Sequence, residues 1–417
     1  MKHKLIIVLV VLFFVVTYTV CGEVVAFRIF PTDYSLFLDG EDIEPERREN
    51  EFRYYDLPEG ENEISISAEG FISETDTITV PGTEYYENKL EREDSLLVEL
   101  EYLPTGVSPK CVQFTPDGAY MLSALLRDDG VDVYETESRE YWGRIEFPQE
   151  YADEDGFVEI AFAEQRGEIW VSQMTTNSVH IIDLESFEYQ ATIPTGGGGP
   201  KIICIDHNEE FAYVSNWWTE DIGVINMETR QLVDMIPTNG IPRGLALTED
   251  GQYMYACLFS NGNIDKISVP DRTVVSTLQL GPGAMRHTAV DYSQNRLYAS
   301  DMAWGDVFVI DMETDELLHR VHVGRKVNTI DLTSDGQYLF VSNRGRNNPE
   351  TYIQEGPEFG WISVLDTETM EIIDWAYGMD QPTGLDVSPD DRYLAFTDFL
   401  DDQIELYSID DFMQWEE

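Results

Sequence analysis

Short segments in which apolar and polar residues alternate run through most of this chain of 417 residues. Residues 63–67 alternate position by position, and other segments are short runs of β-branched or aromatic residues that end at turns such as Asp39-Gly40. A period of two predicts half-buried strands, whereas an amphipathic helix would show a period near 3.6. The pattern therefore predicts an all-β protein.

One pattern recurs along residues 95–411 with a period of about 42 residues. A representative unit begins at Pro242 with two strand segments joined by Asp250-Gly251, and two further strand segments follow, at Asn263–Val269 and Thr273–Leu280. The first segments of the copies start at Pro109, Phe157, Pro200, Pro242, Met285, Val327 and Pro382. Four strands per unit at this period predict a seven-bladed β-propeller.

The last copy lacks a fourth strand segment, because only a short acidic stretch follows Tyr407. An unassigned alternating segment, residues 95–103, lies upstream of the first copy and precedes Pro104-Thr105-Gly106. We expect residues 95–103 to pair with the seventh blade and close the ring, which would cover edges that an open ring exposes.

Two smaller regions precede the repeats. Residues 23–82 contain short strand segments separated by Pro31, Asp39-Gly40 and Pro81-Gly82, and they predict a small β-sandwich. Residues 83–94 are mostly charged or polar and predict a linker.

The first 22 residues have the layout of a secretory signal, with basic Lys2 and Lys4 before an apolar run from Leu5 to Val20. Cys21 follows this run and resembles a bacterial lipoprotein site, at which the cysteine becomes the lipidated N-terminus. Simple secretion and an uncleaved anchor are the alternatives. Each of them places the body of the protein outside the cytoplasm. We expect a protein of the cell envelope, in the periplasm or at the cell surface, whose only membrane attachment would be an N-terminal anchor.

Short motifs in the first region and in the repeats resemble those of two known families. The first region resembles a PEGA domain through Leu36-Phe37-Leu38-Asp39-Gly40, Leu57-Pro58-Glu59-Gly60 and Glu69-Gly70-Phe71. The repeats resemble the YVTN family of seven-bladed propellers, and the related lactonase-type propellers, through Phe114-Thr115-Pro116-Asp117-Gly118, Tyr213-Val214-Ser215-Asn216, Phe340-Val341-Ser342-Asn343 and Val387-Ser388-Pro389-Asp390-Asp391. The second resemblance implies the fold; it leaves activity open, since such propellers include binding proteins, surface proteins and enzymes.

Charge narrows the possible partners. Asp and Glu number 80 and Lys and Arg number 26, a net charge of −54, so we expect no nucleic-acid binding. After Cys21 only Cys111, Cys204 and Cys257 remain, and none forms a C-x-x-C pair. The sequence therefore predicts neither a metal site nor a cofactor.

Basic residues recur at one aligned position, the residue that enters the first strand of each repeat. This position holds Lys110, Val158, Lys201, Arg243, Arg286, Asn328 and Thr383. Loops expected on the same face add Asn216, Trp217, Trp304, Asn343 and Arg344. Close cations repel one another unless an anion lies among them, so this pattern predicts a site at the channel mouth for an anionic small molecule or glycan, or for a cell-envelope protein partner.

Other interpretations remain open. Each cation could pair with an acid of a neighbouring loop, and the aromatic rings could pack between blades. We expect a non-catalytic role; the alternative is a lactonase-like hydrolase in which His287 and Glu159, near the same mouth, act as base and acid.

Overall fold

The computed structural model describes residues 22–413, with the side chain of Met413 excepted. The predicted signal segment, including the lipidation candidate Cys21, lies outside the described residues apart from Gly22. The described chain divides into two compact units, residues 22–69 with 73–88 and residues 70–72 with 89–413. No helix among the described residues is long and apolar enough to cross a membrane.

The first unit consists of two four-stranded sheets. Its strands are β1 (Glu23–Phe30), β2 (Ser35–Leu38), β3 (Glu41–Ile43), β4 (Arg47–Glu49), β5 (Phe52–Leu57), β6 (Gly60–Ser67), β7 (Glu74–Val80) and β8 (Tyr85–Lys89). One sheet has the order β4-β5-β1-β8 and the other the order β3-β2-β6-β7. Both sheets contribute fully buried side chains, Phe27 and Leu57 from the first and Leu36 and Ile64 from the second.

The structure differs from the sequence-based expectation in the predicted linker, residues 83–94. Residues Tyr85–Lys89 form β8, which lies beside β1 in the first sheet. The charged and polar side chains of this segment suggested a solvated connection. Backbone pairing does not depend on side-chain polarity, so a polar segment can serve as an edge strand, where charged residues are common.

The second unit is built from sheets that follow one another along the chain, and we call it the repeat unit. Its strands are β9 (Val98–Pro104), β10 (Pro109–Phe114), β11 (Tyr120–Leu125), β12 (Val131–Glu135), β13 (Tyr141–Ile145), β14 (Phe157–Ala163), β15 (Glu168–Gln173), β16 (Ser178–Asp183), β17 (Tyr189–Pro194), β18 (Pro200–Ile205), β19 (Phe211–Asn216), β20 (Asp221–Asn226), β21 (Gln231–Pro237), β22 (Pro242–Leu247), β23 (Tyr253–Leu258), β24 (Ile264–Ser268), β25 (Thr273–Leu278), β26 (Met285–Asp291), β27 (Arg296–Asp301), β28 (Asp306–Asp311), β29 (Leu317–His322), β30 (Val327–Leu332), β31 (Tyr338–Asn343), β32 (Trp361–Asp366), β33 (Ile372–Tyr377), β34 (Pro382–Val387), β35 (Tyr393–Asp398) and β36 (Gln403–Ser408). Two short helices accompany them, α1 (Gln149–Ala152) and α2 (Asp410–Met413).

These strands form seven four-stranded antiparallel sheets, which we number in chain order from the first (β10-β11-β12-β13) to the seventh (β34-β35-β36-β9). The first strand of each sheet begins at the residue where the sequence repeat begins. The seventh sheet takes its fourth strand from upstream: β9 pairs with β36 in a register that places Leu103 opposite Ile404. The observed strand, Val98–Pro104, starts three residues later than the segment 95–103 chosen from the sequence.

The hydrophobic core of the repeat unit lies between successive sheets. Tyr255 of the fourth sheet packs in one buried cluster with Leu297 and Phe308 of the fifth. The series closes on itself, because Phe114 of the first sheet shares a cluster with Ala395 of the seventh. Each of the seven interfaces has such a cluster. The first strands therefore lie side by side around one centre.

A register shift follows the first residue of every first strand, for example between Pro242 and Leu245 in β22. Such a bulge takes the next residue out of the alternating pattern and can turn its side chain in a new direction. A Ser or Thr of the second strand holds the bulge in several sheets: Ser215 Oγ accepts from the backbone N–H of Ile202 at 3.1 Å and donates to the carbonyl of Arg243 at 3.0 Å. This serine belongs to the motif Tyr213-Val214-Ser215-Asn216.

Candidate functional site: a basic cavity in the repeat unit

The bulged positions surround a cavity with a volume of about 550 Å³, which we call the basic cavity. Five buried cations line it: Lys110, Lys201, Arg243, Arg286 and Arg344. They come from five different sheets, the first, third, fourth, fifth and sixth. The sequence-predicted cations are thus brought together at one place. An exposed arginine, Arg127, and one exposed carboxylate, Asp155, also line the cavity.

Two repeating positions build the wall of the cavity. The first is the second residue of each first strand, inside the bulge, which supplies Lys110, Lys201, Arg243 and Arg286. The other is the residue that follows each second strand, and in sheet order it is Leu126, Met174, Trp217, Phe259, Met302, Arg344 and Phe399. Six of these seven line the cavity, and Phe399 lies against two of its cations. A ring of cations is therefore combined with a ring of mostly apolar side chains.

The two lysines contact soft, uncharged groups of this second ring. Lys110 Nζ lies 4.9 Å from the centroid of Phe399, and Lys201 Nζ lies 5.7 Å from that of Trp217. Lys201 also donates to Sδ of Met174. The face of an aromatic ring attracts a cation without cancelling its charge. These contacts stabilise the lysines and leave their positive charge available to a ligand.

Arg344 is held in the same way by two rings. Its guanidinium carbon lies 5.5 Å from the centroid of Tyr352 and 5.5 Å from that of Phe399. Tyr352 belongs to the insertion of the sixth sheet, residues 347–359, and its backbone carbonyl accepts from Gln381 Nε2 at 2.7 Å. The insertion therefore reaches the cavity. Nε and Nη2 of Arg344 are buried and have no hydrogen-bond partner in the described chain.

Arg243 makes the one ion pair of these five cations with a carboxylate of the described chain. Its Nη2 donates to Oε1 of Glu159 at 2.7 Å, and both side chains are at least 88 % buried. Nη1 of Arg243 is buried without a partner. Arg286 donates from Nε to Oδ1 of Asn328, and Nδ2 of that asparagine is also buried without a partner. Two arginines of the cavity wall, Arg243 and Arg344, thus hold donor atoms that have no acceptor in the described chain.

Burial and mutual repulsion alter the acid–base behaviour of the cluster. Burial, followed by the nearby Arg286 and Arg344, lowers the pKa of Lys110 well below its usual value. Burial and Arg243 do the same to the pKa of Lys201. Burial lowers the pKa of Arg344 to about 10. An anion in the cavity would reverse these shifts, because an opposite charge favours the protonated form.

Three of the residues predicted for the mouth lie away from the basic cavity and make hydrogen bonds within the described chain. Asn216 ends β19, is fully buried and donates from Nδ2 to Oδ1 of Asp221 at 2.9 Å. Asn343 ends β31 and donates to Oγ of Ser363 at 3.1 Å. Trp304 has an exposed fraction of 55 % and donates from Nε1 to the carbonyl of Pro282 at 2.6 Å. None of the three lines the basic cavity.

His287 and Glu159 occupy the third position of their first strands, beside the cations. Neither lines the cavity. Burial lowers the pKa of His287 to about 4, so its imidazole is neutral near pH 7. Burial raises the pKa of Glu159, but Arg243, His287 and Arg286 lower it more, and the carboxyl stays ionised. The pair therefore combines a weakly basic imidazole with a carboxylate that is unsuited to act as an acid.

Sequence reasoning missed Met174 and Arg127, which line the cavity, and did not name Tyr352 as a ligand-binding residue. The signal was available for Met174, since it immediately follows a second strand, as Trp217 does. Reading that aligned position across all repeats would have identified the apolar ring. Tyr352 lies in an insertion with no equivalent in the other repeats, and repeat alignment could not locate it.

Comparison with known proteins agrees with this architecture. Residues 102–251 match the YNCE-like beta-propeller family. In solved structures, hydrazine synthase of Kuenenia stuttgartiensis superposes with a TM-score of 0.61 at 15% identity, covering 75% of this chain and 97% of that one; this likeness shows a β-propeller fold alone.

Two curated proteins are similar in sequence. The uncharacterized protein YwhL of Bacillus subtilis (strain 168) is 37% identical over 82 residues, which is 20% of this chain and 17% of that protein. Antigen Lp49 of Leptospira interrogans serogroup Icterohaemorrhagiae serovar copenhageni (strain Fiocruz L1-130) is 36% identical over 365 residues, 85% of this chain and 79% of the antigen. At that identity and coverage, with the propeller match, the chain belongs to the family of β-propeller proteins that includes Antigen Lp49.

Proposed function

We propose that this protein is an exported β-propeller that binds an anionic ligand in its basic cavity and does not transform it. The ligand is a small molecule, an acidic glycan, or an acidic group of a cell-envelope protein. The observation that carries this proposal is the convergence of five buried cations, of which only Arg243 is paired with a carboxylate in the described chain. Burying so many like charges is costly, and an anion among them would offset the cost.

Family membership establishes a β-propeller, but neither its number of blades nor the fold of the first unit. We propose that the seven sheets are seven blades of one closed propeller, because each sheet shares a core with the next and the seventh with the first. We propose a sandwich for the first unit, since both of its sheets contribute side chains to buried positions. The resemblances to PEGA domains and to YVTN repeats are consistent with these proposals.

The proposed location rests on the sequence of the first 22 residues and on a relative whose name is that of an antigen. We propose export to the cell envelope with a lipid anchor at Cys21. Metabolic labelling with a radioactive fatty acid tests the anchor in a bacterial host, with Cys21→Ala as the variant and Cys111→Ala as the matched control. Labelling that persists in Cys21→Ala would reject the anchor.

The alternative, a lactonase-like hydrolase, has less support from the geometry. Its candidate acid, Glu159, is held as a carboxylate by Arg243, and its candidate base, His287, does not reach the cavity wall. Turnover of a lactone that His287→Gln abolishes would favour the hydrolase over the binding protein.

Binding itself is tested by titrating the protein with pyrophosphate or succinate and following the fluorescence of Trp217 and Trp218, which line the cavity. The variant Lys201→Met removes one cation from the cavity wall. Lys266→Met is its matched control, because Lys266 is equally buried and lies on aromatic rings, but pairs with Asp315 at 2.7 Å outside the cavity. We expect Lys201→Met to weaken binding about tenfold and Lys266→Met to leave it unchanged. Equal effects of both variants, or no binding to the parent protein, would reject the function.

A further inference from the structure

The charges on the cavity wall are far from balanced. Of the five buried cations, Arg243 alone has a carboxylate partner, Glu159, in the described chain. Asp155, the other carboxylate near them, is exposed at the cavity edge. The excess of positive charge is larger than one negative group can offset.

We propose that the ligand of the basic cavity is a compact polyanion, a small molecule with at least two negatively charged groups that are either carboxylates or phosphates. This inference rests on the proposed function, since it specifies which anions the same cavity prefers. It specifies how many charged groups the ligand carries and how large the ligand can be.

The distribution of unpartnered donors argues for several charged groups. Nη1 of Arg243 belongs to the fourth sheet, whereas Nε and Nη2 of Arg344 belong to the sixth, and all three atoms are buried without a partner. A monoanion can pair with the donors of one of these sheets and leaves the remaining cations repelling one another, whereas a polyanion can pair with the donors of both sheets.

The cavity volume limits the size of the ligand. A volume of about 550 Å³ lies within the range of small-molecule sites. Two aromatic rings at the cavity already contact its cations, Phe399 with Lys110 and Arg344, and Trp217 with Lys201, so these two rings are less free to stack on a ligand.

Two series of probes test this inference at constant ionic strength, by tryptophan fluorescence and titration calorimetry. One series is acetate, succinate and tricarballylate, with one, two and three carboxylates; the other is phosphate, pyrophosphate and tripolyphosphate. We expect the Kd to fall roughly tenfold with each added charged group in at least one series, because each group gains charge-assisted hydrogen bonds. The series with the steeper fall identifies the chemistry of the natural ligand.

A variant locates the effect in the cavity. Arg344→Met removes the unpartnered donors of the sixth sheet, and Arg325→Met is its matched control, since Arg325 is 56% exposed and pairs with Glu358 at the surface. We expect Arg344→Met to reduce the ratio of trianion to monoanion affinity at least fivefold and Arg325→Met to preserve it. Should Arg344→Met fail to fold, Arg344→Lys keeps the charge but loses donors, and a smaller reduction is expected.

The outcomes separate the two proposals. Equal affinity for mono-, di- and trianions would overturn the polyanion inference and leave anion binding intact. Absence of binding by every probe would overturn both. A charge series whose slope is the same in Arg344→Met as in the parent would show that polyanions bind elsewhere on the protein, and would also overturn the inference.

Discussion

Arg243 donates a hydrogen bond to Glu159 at 2.7 Å across 84 positions of sequence, linking the fourth sheet to the second. Both residues lie in bulges of their first strands, where the alternating pattern is interrupted. The pair sets the charge of the basic cavity, because Glu159 is the carboxylate that offsets one of five buried cations. Removing the negative charge of Glu159 should therefore make the cavity more positive and the fold less stable.

We predict that Glu159→Gln tightens tripolyphosphate binding about threefold to tenfold and lowers the free energy of unfolding by about 3–5 kcal/mol. The loss arises because Arg243 stays buried without its partner. Tripolyphosphate should restore more stability to the variant than to the parent, since at a fixed concentration a ligand that binds more tightly stabilises the fold more. Thermal denaturation with and without tripolyphosphate measures both effects.

Glu168→Gln is the control for this experiment. Glu168 is also buried and pairs with an arginine, Arg230, at 2.7 Å, but that arginine is not one of the cations that line the basic cavity. This variant should lose stability without any added response to tripolyphosphate. If Glu159→Gln weakened anion binding instead, the carboxylate would be contributing to ligand recognition and our account of the cavity charge would be wrong.

Anion binding should take up protons. The pKa values of Lys110 and Lys201 lie below their usual range in the free protein, by burial and then by neighbouring cations, and a bound anion raises them. The bound state therefore holds more protons than the free state, so affinity rises as the pH falls through the range between the lowered and the restored lysine pKa values. Titration calorimetry with tricarballylate in Tris and in triethanolamine buffers measures the uptake above pH 7, where the carboxylates of the ligand remain ionised.

Lys201→Met should reduce this proton uptake, and Lys266→Met should not, because Asp315 already pairs with Lys266. Proton release on binding, or uptake unchanged by Lys201→Met, would contradict the assignment of the titrating groups.

The sequence repeats were enough to predict which aligned cations come together in the site. Because every first strand begins at an aligned residue, the position of Lys110 in one repeat could be transferred to Arg286 in another, and the structure places both on the cavity wall. The partner of Arg243 could not be found in this way. A bulge places Glu159 beside a cation from another sheet, and neither strand alternation nor repeat spacing encodes that contact.

The burial of Asn216 and Asn343 was unpredictable for a related reason. Each is the last residue of a second strand, a position from which the sequence predicts an exposed loop. In the structure each is fully buried, and its amide bonds to the neighbouring third strand, for Asn216 through Asp221 and for Asn343 through Ser363. In both motifs the asparagine makes a hydrogen bond that joins two strands. From the sequence alone, an asparagine with this structural role could not be distinguished from one that binds a ligand.

The seventh sheet depends on a buried lysine. Lys89 Nζ donates to Glu99 of β9 at 2.8 Å, to Glu405 of β36 at 2.5 Å and to the hydroxyl of Tyr407 at 2.6 Å. It therefore ties the closing strand β9 to its neighbour. Burial alone would lower the pKa of Lys89, but Glu405 and Glu99 raise it, so the ammonium stays charged.

We predict that Lys89→Met lowers the free energy of unfolding by about 3–5 kcal/mol, because two carboxylates lose a shared cation. The double variant Lys89→Met/Glu405→Gln should recover part of this loss, since it removes one unpaired charge. Hydrogen exchange measured by mass spectrometry should show faster exchange in residues 98–104 of Lys89→Met than in the parent. Unchanged exchange there would mean that strand pairing alone holds β9 in place.

A pair of half-buried aspartates, Asp331 and Asp386, should make the protein less stable as the pH rises. Asp331 Oδ2 accepts from the backbone N–H of Val387 at 2.9 Å, and Asp386 Oδ2 accepts from that of Phe114 at 2.7 Å. Burial raises the pKa of Asp331 to about 6, and burial together with Asp331 raises that of Asp386 well above its usual value. The folded protein thus binds protons that the unfolded chain has released, and this contribution to stability is lost as the pH rises from about 4 through the folded pKa values.

Asp386→Asn removes one of the two titrating carboxyls and keeps an oxygen that can accept from Phe114. We predict that it stabilises the fold by about 1–3 kcal/mol at pH 8 and has little effect at pH 4, where the carboxyls of the parent are protonated. Urea denaturation from pH 4 to pH 8 measures this difference. Asp374→Asn is the control, because Asp374 accepts from Arg92 at 2.6 Å, so its loss should destabilise the protein at pH 8, the opposite of the effect expected for Asp386→Asn. A parent protein whose stability rises steadily over this range would show that other groups outweigh the aspartate pair.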